Sequence, residues 1–460
     1  MRSRGVPPVV LWIAGVGLVL AQACGRPWDD YDPRLASTPS TAAGGQGTGG
    51  GGTAGTGVGG GGGSGGTTGP TDCGGVGLLT DDFEDGAPNG ADWSSYAYLG
   101  ADISEQGGAV VFSLPPTGRG YAEYTSWDAY DLRQRRLAFE LTDVPTTLAE
   151  VVVNVAVGSG QSALADFELE QGQLRCVVWA AGQRNEVCSL TYDGGDYRFL
   201  GFREEGGTIH WEVSWDGSTW FSKHSQAVEG IFDPRYTSTA IQVEGNGEGS
   251  AAAIRLESVT GTASTDDTYC PMSTLVDDFD ATSESPAWLD LQGTNGCTIV
   301  QASSEVVLGV NSGAPEDTLC ILASASSYDL VDDAVSLEIT QAPAAGSNVE
   351  LFLAAGPRQE GSVAFSIMGG ELRTGTWEWQ TFTQASALAY SATDHRWVRI
   401  RLEGATAHWE ASSDGDTWTS LNSAVVPFDM RRSAVLIGTL AHGSVPSTTQ
   451  LSVDNVNVTP

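Results

Sequence analysis

One stretch of this chain occurs twice, and that repetition constrains the fold more than any other feature. It reads DYRFLGFREEGGTIHWEVSWDGSTWFS from Asp196 to Ser222 and DHRWVRIRLEGATAHWEASSDGDTWTS from Asp394 to Ser420, without a gap, at an offset of 198 (394 − 196). Each copy reads as strand, Gly turn, strand, Asp-Gly turn, strand. In a strand, alternate side chains face opposite sides of the sheet. Leu200 and Phe202 therefore share a face, as do Val398, Ile400 and Leu402, while Trp211 with Val213 and Trp409 with Ala411 form the apolar side of the returning strand. Asp216-Gly217 and Asp414-Gly415 supply the positive φ of a tight hairpin. Thr219-Trp220 and Thr417-Trp418 are expected to start the third strand, with Trp211, Trp220, Trp409 and Trp418 in the core.

The duplication runs the length of both halves. Leu79-Thr80-Asp81-Asp82-Phe83 answers Leu275-Val276-Asp277-Asp278-Phe279, Tyr130-Asp131-Leu132 answers Tyr328-Asp329-Leu330, and Leu256-Glu257-Ser258-Val259 answers Val453-Asp454-Asn455-Val456. Repeats this long are whole domains, expected over 73–265 and 271–460. Short alternating runs broken by Gly, Asn and Asp dominate each half, and helical periodicity is confined to single turns near Pro234-Arg235 and Met430-Arg431. The fold class expected is all-β: two tandem antiparallel β-sandwiches of jelly-roll type.

Ahead of them, Arg2 and Arg4, the apolar run Val9 to Leu20 and Ala21-Gln22-Ala23 read as a signal peptide over 1–23. Residues 24–70 are rich in Gly, Ser and Thr and read as a flexible tether reaching roughly 35–40 Å. No strand precedes its glycines and no Lys-Ser/Thr closes them, so they are not a phosphate loop. The formal charge of −35 excludes nucleic acid as a partner and fits solubility outside the cell, cationic partners or calcium. Of 7 cysteines, Cys24 directly follows the cleavage site, and the other six suit an oxidising compartment. Cys176 pairs with Cys188 across a hairpin, Cys297 with Cys320 because both are private to the second repeat, and Cys73 with Cys270 as a clasp around the first.

Cys24-Gly25 after the small-residue site resembles the lipobox of bacterial lipoproteins, although Leu20 stands four residues before the cysteine rather than three. Ordinary cleavage after Ala23, leaving no lipid, is the alternative. The motif Arg-Phe/Trp-x-x-x-Arg, Gly, His-Trp-Glu, Ser-x-Asp-Gly-x-Thr-Trp, with Asp-Asp-Phe at the start and Val-Asp-Asn-Val-Asn-Val at the end, resembles concanavalin A-like jelly rolls. It is most similar to the laminin-G-like and glucanase-like modules of bacterial extracellular proteins, and the tether behind a lipid anchor resembles surface lipoproteins of myxobacteria. The resemblance implies a lectin-like binder or a glycoside hydrolase. It also implies an exported protein at the outer membrane or cell surface, with a periplasmic or secreted form as the alternative.

A hydrolase of this kind needs paired carboxylates on one strand. Asp166, Glu168 and Glu170 alternate suitably, but the second repeat has Ala364, Ser366 and Met368 there, so a non-catalytic protein is expected. The ligand-binding candidates are Phe199, Arg203, His210 and Glu212, with Trp397, Arg401, His408 and Glu410 in the second copy. A ring beside Arg, His and Glu stacks on a sugar and bonds its hydroxyls; the same residues also suit a cross-strand charge ladder. Asp81, Asp82 and Glu84, with Asp277, Asp278 and Asp280, are the oxygen-rich candidates for structural calcium. The expected function is carbohydrate recognition or adhesion, with an envelope spacer or protein-interaction module as the alternative.

Overall fold

The computed structural model describes residues 73–458 except 87–89, 91, 146–149, 160–162, 246–251, 263–266, 282–284, 293–295, 303, 317, 359–360 and 379–380. The signal peptide 1–23, Cys24 and the tether 24–70 lie outside the described residues. Among those described, no helix is long and apolar enough to cross a membrane.

Fourteen strands build the first repeat: β1 (Trp93–Tyr98), β2 (Asp102–Glu105), β3 (Val110–Leu114), β4 (Gly120–Ser126), β5 (Arg136–Thr142), β6 (Val151–Gly158), β7 (Leu164–Glu170), β8 (Gln173–Ala180), β9 (Gln183–Thr191), β10 (Phe199–Glu205), β11 (Thr208–Ser214), β12 (Phe221–Ala227), β13 (Ser238–Gly245) and β14 (Ala252–Gly261). They form a front sheet, ordered β1-β4-β13-β6-β7-β8-β9, and a back sheet, ordered β12-β11-β10-β5-β14-β3-β2. The second repeat has two sheets of the same size and order. Each domain is an antiparallel β-sandwich whose connections cross between sheets in the jelly-roll manner.

The alternation read from the duplicated block holds. Leu200, Phe202, Trp211 and Val213 are buried between the sheets, and so are Val398, Ile400 and Trp409. Each central Trp also ties the two sheets together. Trp211 on the back sheet donates its indole N–H to the carbonyl of Asp166 on the front sheet at 3.0 Å, and Trp409 donates to the carbonyl of Ala364 at 3.0 Å. An apolar ring that also satisfies its one donor costs nothing in stranded polarity.

The other two tryptophans of the block sit elsewhere. Trp220 and Trp418 stand immediately before the third strand instead of entering the core, and each is half-buried on the outer side of the back sheet. The reason is the turn. Asp216 accepts from the amides of Ser218 at 2.9 Å and Thr219 at 2.7 Å, which keeps Thr219 and Trp220 in the turn, so β12 begins at Phe221. Those amides, Thr219 foremost, pull the Asp216 carboxyl down to about 2. Trp220 then folds back over Gly201, where a Cβ would stand 2.6 Å from its ring.

All three disulfides join the cysteines paired from sequence: Cys73–Cys270, Cys176–Cys188 and Cys297–Cys320, with Cα separations of 4.9, 4.8 and 5.6 Å. The first ties the start of one domain to the start of the next. Beside it, Asp128 of the first domain is 1% exposed and receives Arg358 at 2.8 Å, Arg432 at 2.9 Å and the Ser327 hydroxyl at 2.8 Å, all from the second domain. Burial alone would raise the Asp128 carboxyl, but the two guanidinium groups outweigh it and hold it below the usual range. The amide of Ala129 donates to the carbonyl of Ala325 and the Ser326 hydroxyl to the carbonyl of Ala129, so the two domains also bond through backbone groups.

Candidate functional site

The back-sheet residues singled out from sequence do share one outer face in each domain, and they form a closed ladder. Glu212 is reached by Arg203 at 2.9 Å and by Arg136 of β5 at 2.8 Å; Glu410 is reached by Arg399 and, at 3.2 Å, by Arg401. Arg136 and Arg399 stack over Trp220 and Trp418 at 4.7 and 4.1 Å. His210 and His408 stand half-buried beside these pairs, and burial together with Arg203 holds the His210 imidazole below its ordinary pKa. Phe199 is half-buried, whereas Trp397 is only 4% exposed. The carboxylates of this face are therefore occupied by the protein's own cations.

The acidic cluster at the start of each repeat has an internal task. Asp81 accepts the Phe83 amide at 2.9 Å and the Trp93 indole at 2.9 Å; Asp277 accepts the Phe279 amide at 2.8 Å and the Trp288 indole at 3.0 Å. These bonds hold Phe83 and Phe279 at φ of 54° and 49°, a left-handed conformation that a bulky residue rarely adopts. Asp82, Glu84, Asp278 and Asp280 do not converge with them: among the described residues, no group of three or more His, Cys, Asp or Glu is placed to hold a metal ion. Asp81→Ala is expected to cost roughly 2–3 kcal/mol through two lost bonds to buried partners. Chelator should leave the unfolding temperature of the parent chain unchanged, which differential scanning calorimetry would check.

The front sheet carries a second polar face that sequence reasoning did not select as a binding site. Its inward residues, such as Tyr124, Val155 and Phe167, fill the core. Their neighbours one position on point outward, and strand pairing lines them up in a row across the sheet: Tyr96, Glu123, Gln242, Asn154, Glu168, Arg175. Tyr98 and Tyr121 stand in the next row, with ring centroids 5.3 Å apart and Tyr96 at 5.6 Å from Tyr98. Glu123 accepts from Tyr121 and, at 2.8 Å, from Thr125, and burial raises its carboxyl. Arg175 bonds Glu168 at 2.8 Å and Glu170 at 2.5 Å, while Arg184 bonds Glu168 at 2.8 Å. Asn154, in the middle of the row and half-buried, makes no side-chain hydrogen bond among the described residues.

Asp166 is the most strained group on this face. It is 4% exposed, one carboxylate oxygen has no hydrogen-bond partner among the described residues, and burial followed by Glu168 pushes its pKa well up. A carboxyl whose folded-state pKa is raised destabilises the fold progressively as pH rises through that value. Asp166→Asn is thus expected to stabilise the protein by on the order of 1 kcal/mol at neutral pH. The gain should shrink as pH falls and the native carboxyl takes up its proton, a trend readable from denaturant midpoints across pH.

The second repeat keeps the register and changes the chemistry. Where the first has Tyr121, Glu123, Gln242, Asn154 and Asp166, the second has Leu319, Ile321, Gly438, Phe352 and Ala364. The signal was present in the sequence. GYAEYTS of β4 alternates, while LCILAS is apolar on both faces, the mark of a strand covered on both sides.

No family model matches the chain, and no curated protein does. Among solved structures it is similar to a glycoside hydrolase family 16 endo-glucanase from Bacteroides ovatus, at 10% identity over 40% of this chain and 100% of that one, with a TM-score of 0.31. It is also similar to the laminarinase from Rhodothermus marinus, at 11% identity over 40% and 94%, TM-score 0.31. A third is the Crh5 transglycosylase, at 10% identity over 42% and 87%, TM-score 0.32.

Proposed function

We propose that the protein is an exported, non-catalytic carbohydrate-binding protein and that the front face of its first domain holds the sugar. The observation that carries this reading is the row Tyr96–Glu123–Gln242–Asn154–Glu168, aligned across five hydrogen-bonded strands, whose first four members give way to Leu291, Ile321, Gly438 and Phe352 in the second repeat. Tyrosine rings offer an apolar surface with a polar tip for a pyranose, and amide and carboxylate groups take its hydroxyls. The surplus of carboxylates on the face, within a chain of charge −35, favours neutral glycans over anionic ones. Three disulfides fit an oxidising compartment outside the cytosol. The lipid anchor at Cys24 and the tether would hold the pair of domains at the cell surface.

A glycoside hydrolase is the second reading, and one observation favours it. Asp166 carries a raised pKa two residues from Glu168 on the same face, and a carboxyl held protonated in this way is what a general acid needs. Against it, Glu168 is held by two arginines. Incubating the full chain with each glycan retained on a broad array, then looking for shortened products, separates the two. Binding without cleavage supports the proposal. Cleavage lost in Glu168→Gln overturns the non-catalytic part, and a blank array overturns the carbohydrate part.

A further inference from the structure

The two front faces are not separate surfaces. In β4 the residues Tyr121, Glu123 and Thr125 point outward, and Trp127 follows them in the same alternation just past the strand's end. Together with Leu289, Phe352, Leu436 and Leu440 it packs against the buried cluster of Leu319, Ile321 and Ala323, the outward residues of the equivalent strand in the second domain. Trp127 thus belongs to both faces at the junction, and the Asp128 ion pairs directly behind it fix the two domains in that placement. On one side of Trp127 lies a tyrosine, amide and carboxylate surface. On the other lies an aliphatic one, on which Leu436, Leu440 and Phe352 remain half-buried at the surface.

Resting on the carbohydrate reading above, we propose that the joined faces recognise a single amphiphilic ligand, a neutral glycan carrying an acyl or alkyl chain. The sugar lies on the first domain and the chain runs past Trp127 onto the second. Polarity assigns the two ends. At the junction hydroxyls find partners on the first face, because the second has Leu319, Ile321 and Phe352 where the first has Tyr121, Glu123 and Asn154; the polar groups of the second face, Ser366 and the Glu350–His442 pair, stand across the strands from Phe352 and Leu440. The apolar face begins where the polar one ends, which is the layout a one-headed amphiphile requires. Divergence within a common register explains why a duplicated domain kept its backbone pairing and lost every polar group of the row as far as Phe352.

The test uses the full chain and two matched probes, dodecyl maltoside below its micellar concentration and maltose, with 11-dansylaminoundecanoic acid as a chain-only reporter. Dodecyl maltoside is expected to bind roughly tenfold or more tighter than maltose, since burying several methylenes on the second face adds to the sugar contacts. Leu440→Ser and Leu436→Asp should each remove that advantage and the dansyl fluorescence gain while leaving array binding of free glycans intact; Leu440→Ser is the milder change should Leu436→Asp disturb folding. Equal affinity for the two probes, or an advantage that survives both variants, overturns the acyl arm while the carbohydrate reading stands. A blank glycan array with retained dansyl binding has the opposite meaning: the chain-binding face stands and the sugar assignment falls.

Discussion

Asp128→Ala is expected to destabilise the chain by about 3–5 kcal/mol and to split a single thermal unfolding transition into two. Among the described residues Asp128 is the one first-domain carboxylate paired with both Arg358 and Arg432, and the Arg358 side chain is itself 5% exposed. Removing the carboxylate strands a buried guanidinium at the junction, which costs more than the pair contributed when intact. The disulfide Cys73–Cys270 keeps the halves tethered, so the change shows as lost coupling and not as dissociation. The pH dependence follows from the depressed carboxyl. Its stabilisation is full above the unfolded-state pKa and is lost as pH falls through the lower folded-state value. Calorimetry at pH 7 and again in acid checks both statements, and the wild-type protein should begin to resemble the variant only in acid.

Trp409→Ala is expected to cost the second domain about 3–5 kcal/mol. The side chain is 0% exposed and its indole satisfies the Ala364 carbonyl across the sandwich. Truncation opens a cavity between the sheets and orphans that bond at once. Trp211 holds the matching place in the first domain, with its bond to the Asp166 carbonyl untouched. The loss should therefore fall on the second domain, whose unfolding is expected to separate from that of the first and move to lower denaturant, and near-ultraviolet circular dichroism of Trp409→Ala and Trp211→Ala would separate the two signals.

Much of the fold was legible because the duplicated block ties alternation to turns. Leu200, Phe202 and Trp211 had to share a face, Gly217 had to take a positive φ, observed at 70°, and the unmatched cysteines had only each other. Trp220 and Trp418 were misplaced because β propensity says nothing of how far a side-chain-capped turn winds. The acidic starts of the repeats looked like calcium ligands by composition, yet one Asp in each is spent on a Trp indole twelve or eleven residues on. The front face was harder. Its row joins residues from β1, β4, β13, β6 and β7, which lie far apart along the chain and meet only through sheet order. The back-sheet ladder, by contrast, sits within one local block apart from Arg136 of β5, and so is open to a local reading.

The most direct measurement is a titration of the full chain with a neutral oligosaccharide retained on the array, comparing Tyr96→Ala with Asn154→Ala in one double variant against Arg401→Ala. The account predicts that the front-face variant loses roughly tenfold or more in affinity, with its fold intact by circular dichroism, and that Arg401→Ala binds as the parent does. Loss of binding in Arg401→Ala with full affinity in the front-face variant would contradict it and move the site to the back-sheet ladder.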